Sequence, residues 1–405
     1  MMRLALLLVA LTLPAQAQDH AAVERQYQAW LQQKIWPEAR RAGVSSAVFQ
    51  QAFAGVKLNW KLPDLVPPGS KTSTPRKQSQ AEFGSPGRYF RAVRNDAAGA
   101  TSLRRKHAKT LARIEKQTGV PGHILLGIWG RESGYGRAKI PHNAFEVLGT
   151  KAFMSRRTAL FRPELIAALK LAQSGQAPSP LKSSWAGALG QPQFLPTNYF
   201  KYAADGDGDG RVDIWDSEPD TLASIGRYLA DHGWQRGRDW GFEVNLPANV
   251  SCALEGPDQG RRISQWEKLG ITRVSGRAFP AHERRGEGYL MLPAGRFGPA
   301  FIVTPNFYVL KDYNKSDLYA LYVGHMGDRI AFGSSGFARG WADIGTLNRS
   351  DIAKMQRALE RDGHDVGGVD GLPGFKTRRS IGRWQEANGQ SATCFPNASL
   401  KATLR

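Results

Sequence analysis

One carboxyl group stands out as a candidate for proton transfer in this 405-residue chain. Glu132 lies within Ile124-Leu125-Leu126-Gly127-Ile128-Trp129-Gly130-Arg131-Glu132-Ser133-Gly134-Tyr135-Gly136. It follows an apolar run, His123 to Trp129, of helical length and without a β-branched block, and Gly134 and Gly136 then stop the helix. A carboxyl group ending such a helix, against apolar and aromatic side chains, is poorly solvated. Desolvation disfavours the charged form and raises the pKa, which suits a general acid near neutral pH. A lone Glu in that position could equally be a solvated helix end, so the reading depends on its company.

Two later stretches supply that company. Ser184-Trp185-Ala186-Gly187-Ala188-Leu189-Gly190-Gln191-Pro192-Gln193-Phe194 sets small residues around a Trp and two Gln. Backbone can approach a ligand closely there. Amides bond hydroxyl and acetamido groups while rings stack on pyranose faces, so the mixture suits sugars. The structural alternative is tight packing through Gly and Ala, with Trp185 in the core. Farther on, Tyr313, Asn314 and Tyr319 offer a second polar and aromatic surface.

Taken in order, these segments resemble the soluble lytic transglycosylases of the membrane-bound lytic transglycosylase B family, over roughly residues 25–340. The resemblance implies a lysozyme-like fold with one catalytic Glu followed by Ser, here Glu132 and Ser133. Its glycan-contacting residues fall on Ser184, Gln193, Tyr228, Tyr313, Asn314 and Tyr319, and the role of Gln191 is left open. It implies no organic cofactor. The reaction expected from it is cleavage of the bond between N-acetylmuramic acid and N-acetylglucosamine in peptidoglycan, leaving a 1,6-anhydro ring. Ordinary glycosidases pair two carboxylates, yet segments 121–145 and 184–200 hold no other Asp or Glu, with Glu146 just outside. A hydrolysing muramidase and a non-catalytic wall-binding scaffold are the competing readings.

Asp205-Gly206-Asp207-Gly208-Asp209-Gly210-Arg211 matches the start of an EF-hand loop, with Asp at positions 1, 3 and 5 and Gly at 6. Arg211 would contribute its backbone carbonyl. Position 12 is Asp216 rather than Glu, and the longer loop of some family members makes Asp220 the expected closing ligand. Asp220 could instead cap a helix starting near Thr221. The expectation is a structural Ca²⁺ outside the chemistry.

The elements that must position these groups read as an α+β fold, predominantly α. Residues 22–55, 101–118 and 121–132 carry helical patterns, 62–87 reads as a long loop, and 240–304 suggests a few strands. A composition shift near Gly345 opens a block similar to the small three-helix peptidoglycan-binding domain. Its marks are Met355-Gln356, Asp370-Gly371-Leu372-Pro373-Gly374-Phe375-Lys376-Thr377 and Trp384-Gln385. Ile352, Met355, Leu359, Ile381 and Trp384 are its expected core, and Phe375 is expected to expose its ring to ligand. The domain organisation is thus a signal peptide at 1–17, a catalytic domain at 18–344 and a binding domain at 345–405.

Arg3, the apolar run Leu4–Leu13 and Ala15-Gln16-Ala17 fit a cleavable signal peptide, and the run is too short to span a bilayer. The expected product is soluble and periplasmic, beginning near Gln18. The net charge of +20 suits an anionic partner, and export favours cell-wall polymers over nucleic acid. Cell-wall synthesis enzymes are candidate partners, and a monomer is the expected state. The two cysteines, Cys252 and Cys394, could bridge in an oxidising compartment and pin two domains together, or remain buried thiols.

Overall fold

The computed structural model describes residues 19–70, 86–333 and 335–404. The expected signal peptide and most of the expected 62–87 loop therefore lie outside the described residues. No described helix is long and apolar enough to cross a membrane.

The described residues form two compact units. One is drawn from Met1–Thr72 and Pro141–Gly187, the other from Ser73–Ile140 and Ala188–Arg405. The first is helical, with helices His20–Trp30, Trp36–Arg41, Ser46–Phe53, Ala144–Met154 and Thr158–Ser174, and a short antiparallel pair, β1 (His142–Asn143) and β2 (Lys182–Ser183). Asp19, Ser45 and Asn143 each accept backbone N–H bonds at a helix start, satisfying donors that the helix itself leaves orphaned.

In the second unit, helix Gly122–Ser133 is buried on nearly every side from Ile124 to Gly130, as an apolar helix without a polar face must be. It packs against helices Val93–Lys106, Glu218–Asp231 and Asp317–Phe332. Gly127 allows a close backbone approach to the last of these, since a Cβ there would lie 3.1 Å from Val323 O. Gly134, at φ +56°, ends the helix in the left-handed conformation.

The strands expected in 240–304 form one antiparallel sheet: β3 (Gly241–Asn245), β4 (Arg261–Arg262), β5 (Thr272–Arg273), β6 (Glu287–Met291) and β7 (Ala300–Val303). Their spatial order is β4-β6-β7-β3-β5, with Leu290, Ile302 and Phe242 in register. Alternation sends these three into a cluster with Ile263, Trp266, Cys252 and Cys394, while Met291, Phe301 and Val303 join the helical core on the opposite face.

Helices Arg349–Arg361, Phe375–Ala387 and Ala398–Thr403 follow the sheet. Ile352, Met355, Leu359 and Ile381 are fully buried together, with Trp384 partly buried against them. The motif residues turn out to be one network. The Gln356 amide donates to Asp370 Oδ1, Leu372 O and Thr377 Oγ1, and its carbonyl accepts from Gly371 N. Phe375 departs from expectation: it is half-buried, with the Arg379 guanidinium 5.2 Å over its ring. Cys252 and Cys394 are bridged, with Cα atoms 6.1 Å apart.

Candidate active site

Glu132 occupies the last turn of Gly122–Ser133, where the negative end of the helix dipole disfavours a charged carboxylate. It is half-buried. Desolvation pushes its pKa up to about 7, against the opposing pull of Tyr319 and Arg131. Tyr319 donates its phenolic O–H to Glu132 Oε1 at 2.5 Å. Such a bond favours the carboxylate, so Tyr319 keeps the acid within reach of neutral pH. Arg131 lies between two rings, 4.7 Å from Tyr89 and 4.6 Å from Tyr322.

Tyr319 is held from below. It is the third residue of helix Asp317–Phe332, whose N-cap Ser316 accepts from Tyr319 N. Its ring lies parallel to that of Tyr313, centroids 6.3 Å apart. Tyr313, on helix Pro305–Asn314, donates to Pro192 O at 2.7 Å and packs 4.8 Å from Tyr228. Tyr228, on helix Glu218–Asp231, donates to Asp312 O and stacks on His232. Glu132, Tyr319, Tyr313 and Tyr228 therefore form one row of contacts, with the motif around Pro192 joined to it. Asn314 is exposed beside Tyr313.

Other expected residues have different local roles. Ser133 is buried, donating to Trp129 O and accepting from Gly136 N, so its hydroxyl shapes the chain reversal after Glu132. Gln193 adopts φ +55° and donates to Gly190 O. Ser184 belongs to the other unit, where its Oγ accepts from Ala186 N. Trp185, offered as a core residue, is 51% exposed, with Lys151 Nζ 5.2 Å over its ring. Two glycine-bordered turns, rather than a packed helix, carry that stretch.

Gln191 is a buried strut. Its Oε1 accepts from Trp129 Nε1 at 2.7 Å and its Nε2 donates to Trp215 O at 2.8 Å. It ties the helix of Glu132 to the acidic loop. Tyr89 and Tyr322 carry no signal in the sequence. Arg131 stood in view beside Glu132, but nothing local marked its ring partners.

In that loop, Asp205, Asp207 and Asp209 bring carboxylate oxygens within 4.8 Å of one another. Oxygens sharing one calcium ion lie at most about 5 Å apart, twice the usual ligand distance, so the spacing fits. Asp220 is buried beside them and accepts from Gly206 N and Asp213 N, both at 2.7 Å, joining the two ends of the loop. The helix N-cap is Ser217, whose Oγ accepts from Asp220 N, so the capping alternative for Asp220 fails.

A family model described as the transglycosylase SLT domain matches residues 26–328. Membrane-bound lytic murein transglycosylase B of Escherichia coli (strain K12) is 33% identical over 230 residues, 56% of this chain and 61% of that relative, so under two thirds of its length is spanned. Among solved structures, SltB3 from Pseudomonas aeruginosa in complex with NAG-anhNAM-pentapeptide superposes with a TM-score of 0.83 at 35% identity, covering 95% of this chain and 99% of that one. The Escherichia coli lytic transglycosylase Slt35 in complex with calcium matches at a TM-score of 0.59 and 26% identity, over 77% of this chain and 93% of that one.

Proposed function

Because the chain belongs to the transglycosylase SLT family, we propose that it is a lytic murein transglycosylase. It cleaves the β-1,4 bond between N-acetylmuramic acid and N-acetylglucosamine and leaves 1,6-anhydromuramic acid ends. The observation that carries this reading is the setting of Glu132, a desolvated carboxyl with a pKa near 7 whose hydrogen-bond partner is a tyrosine.

In the first step protonated Glu132 gives its proton to the glycosidic oxygen, and the C1–O bond of muramic acid breaks. In the second the Glu132 carboxylate takes the proton of the muramic 6-hydroxyl, whose oxygen closes on C1. One proton is lent and recovered, and no water is consumed. Tyr319 eases the middle of this cycle, because its O–H stabilises the carboxylate that exists between the two transfers. Tyr313, Asn314, Tyr228 and Gln193 are the proposed sugar-facing set around it, with Ser133 acting through the backbone; Ser184 is proposed as a glycan contact of its own unit. Mass spectrometry of sacculus digests tests this: anhydro ends, one water lighter than reducing ends, are expected. Reducing ends would make the protein a muramidase, and intact sacculi a binding scaffold.

Residues 345–405 are proposed as a peptidoglycan-binding domain, on the Gln356–Asp370–Thr377 network that matches its motif. A structural Ca²⁺ held by Asp205, Asp207, Asp209, the Arg211 carbonyl and Asp220 is proposed; the carboxylate spacing supports the first three, and the last two rest on the resemblance to an EF-hand-like loop. A bound ion would neutralise the loop and take no part in proton transfer. The periplasm is the proposed location, and cell-wall synthesis enzymes the proposed partners of a monomer.

A further inference from the structure

The last helix pair sends a side chain to the base of the active site. Arg378, on helix Phe375–Ala387, is only 4% exposed. Its guanidinium donates to both oxygens of Glu255, to Pro373 O and to Asp317 Oδ2 at 3.0 Å. Asp317 is the first residue of the helix that carries Tyr319. Its other oxygen pairs with Lys311 Nζ at 2.7 Å, and Lys311 lies on the helix that carries Tyr313. One carboxylate thus closes the turn between the two tyrosine-bearing helices, and a C-terminal arginine locks it from outside.

We propose that Arg378 is a positioning residue for catalysis, fixing through Asp317 the helix start from which Tyr319 reaches Glu132. This rests on the functional reading given above. The geometry leaves little slack: Tyr319 is two residues from Asp317, its N–H is bonded to the cap next to Asp317, and its O–H bond to Glu132 is short. A buried charge pair also makes a stiff joint, because breaking it strands carboxylates away from water. Other contacts also dock the last helices. The Cys252–Cys394 bridge, the Ser251–Glu386 bond and the Arg379–Asp258 pair hold the same surface. The block at 345–405 would then be a structural part of the active site as well as a wall-binding element.

The test is Arg378→Met, with the Glu132 titration read by ¹³C-carboxyl NMR and the signal assigned by its loss in Glu132→Gln. The other titratable and charged groups facing Glu132 are Arg131, Tyr313 and Tyr319, with Tyr89 behind Tyr319. None of them is altered. A loosened Tyr319 bond destabilises the carboxylate, so the titration of Glu132 moves to higher pH, in the same direction as in Tyr319→Phe and by less. On glycan strands kcat falls about tenfold with KM little changed, and the loss shrinks in a Tyr319→Phe background, as expected of coupled sites. If Arg378→Met does not fold, Arg378→Lys and Asp317→Asn take its place, with smaller shifts of the same sign. A folded variant whose Glu132 titration stays at the wild-type position overturns the proposal. A wild-type protein that leaves sacculi uncut overturns the functional reading instead, and the NMR titration still decides the role of Arg378.

Discussion

Glu132 and Asp317 are both withdrawn from water, both lie within one helical turn of a helix end, and both act on the same tyrosine helix, yet they are tuned in opposite directions. Glu132 sits at a helix C-terminus with a phenol as its hydrogen-bond partner, and desolvation carries it to about 7. Asp317 sits at a helix N-terminus; burial would raise it, but Arg378 and Lys311 outweigh that and hold it at about 2. Burial by itself does not decide what a carboxyl group does. The sign of the helix end and the charge of the partner do, and they separate a proton carrier from a permanent anion.

Removing the carrier has the largest expected effect. Glu132→Gln keeps the shape and abolishes proton transfer, so turnover falls at least about a thousandfold while glycan binding persists; pull-down on sacculi beside a product assay reads both. Retained turnover would remove Glu132 from its assigned role. Next comes Tyr319→Phe, with kcat lower by roughly ten- to a hundredfold and the alkaline limb of the pH–rate profile moved upward, since the acid stays protonated to higher pH. A downward or absent shift would contradict the assignment of Tyr319 as stabiliser of the carboxylate.

Stability against pH should separate the two carboxyls by sign. The Glu132 pKa is raised on folding, so its contribution is full below its unfolded value of 4.5 and is lost as pH rises through about 7. Glu132→Gln should therefore match the wild type in acid and exceed it above neutral pH, by roughly 1–2 kcal/mol after allowance for partial exposure. The Asp317 pKa is depressed, so its contribution is present above 3.8 and fades as pH falls toward 2. Asp317→Asn should lose about 2 kcal/mol near neutrality and converge on the wild type in strong acid. Urea melts across pH read both, and parallel curves would undo the contrast.

The smallest expected effect is at the acidic loop, where Asp207 and Asp209 are exposed and have no tyrosine to tune them. Calcium should raise the melting temperature of the wild type by a few degrees, an order of 1 kcal/mol. Asp205→Ala combined with Asp207→Ala should abolish that response and leave cleavage intact. An equal response in both proteins would reject the site.

Much of this was legible along the chain because it is local. The helix ending at Glu132 follows from an apolar run closed by glycines, and the acidic loop follows from Asp on alternate residues. The strands expected in 240–304 followed from short apolar runs between Gly and Pro, and the last helices from the spacing of apolar residues on one face. Trp185, Phe375 and the helix cap at Ser217 were misjudged or left open, because exposure and capping depend on what lies across the gap rather than on the neighbours in sequence. Gln191 shows the same limit: its two partners are Trp129 and Trp215, one in each direction and both distant along the chain.

By itself, then, the sequence determined which residue types stand at helix ends and turns, since propensity, spacing and glycine stops act over a few residues. It also carried the order of motifs that marks the family. Only the tertiary structure decided what each charge means. The tyrosine that tempers Glu132 lies 187 residues away, and the arginine that holds Asp317 lies 61 residues away. Coulombic and desolvation energies are set by distance and burial in space, which no periodicity along the chain encodes.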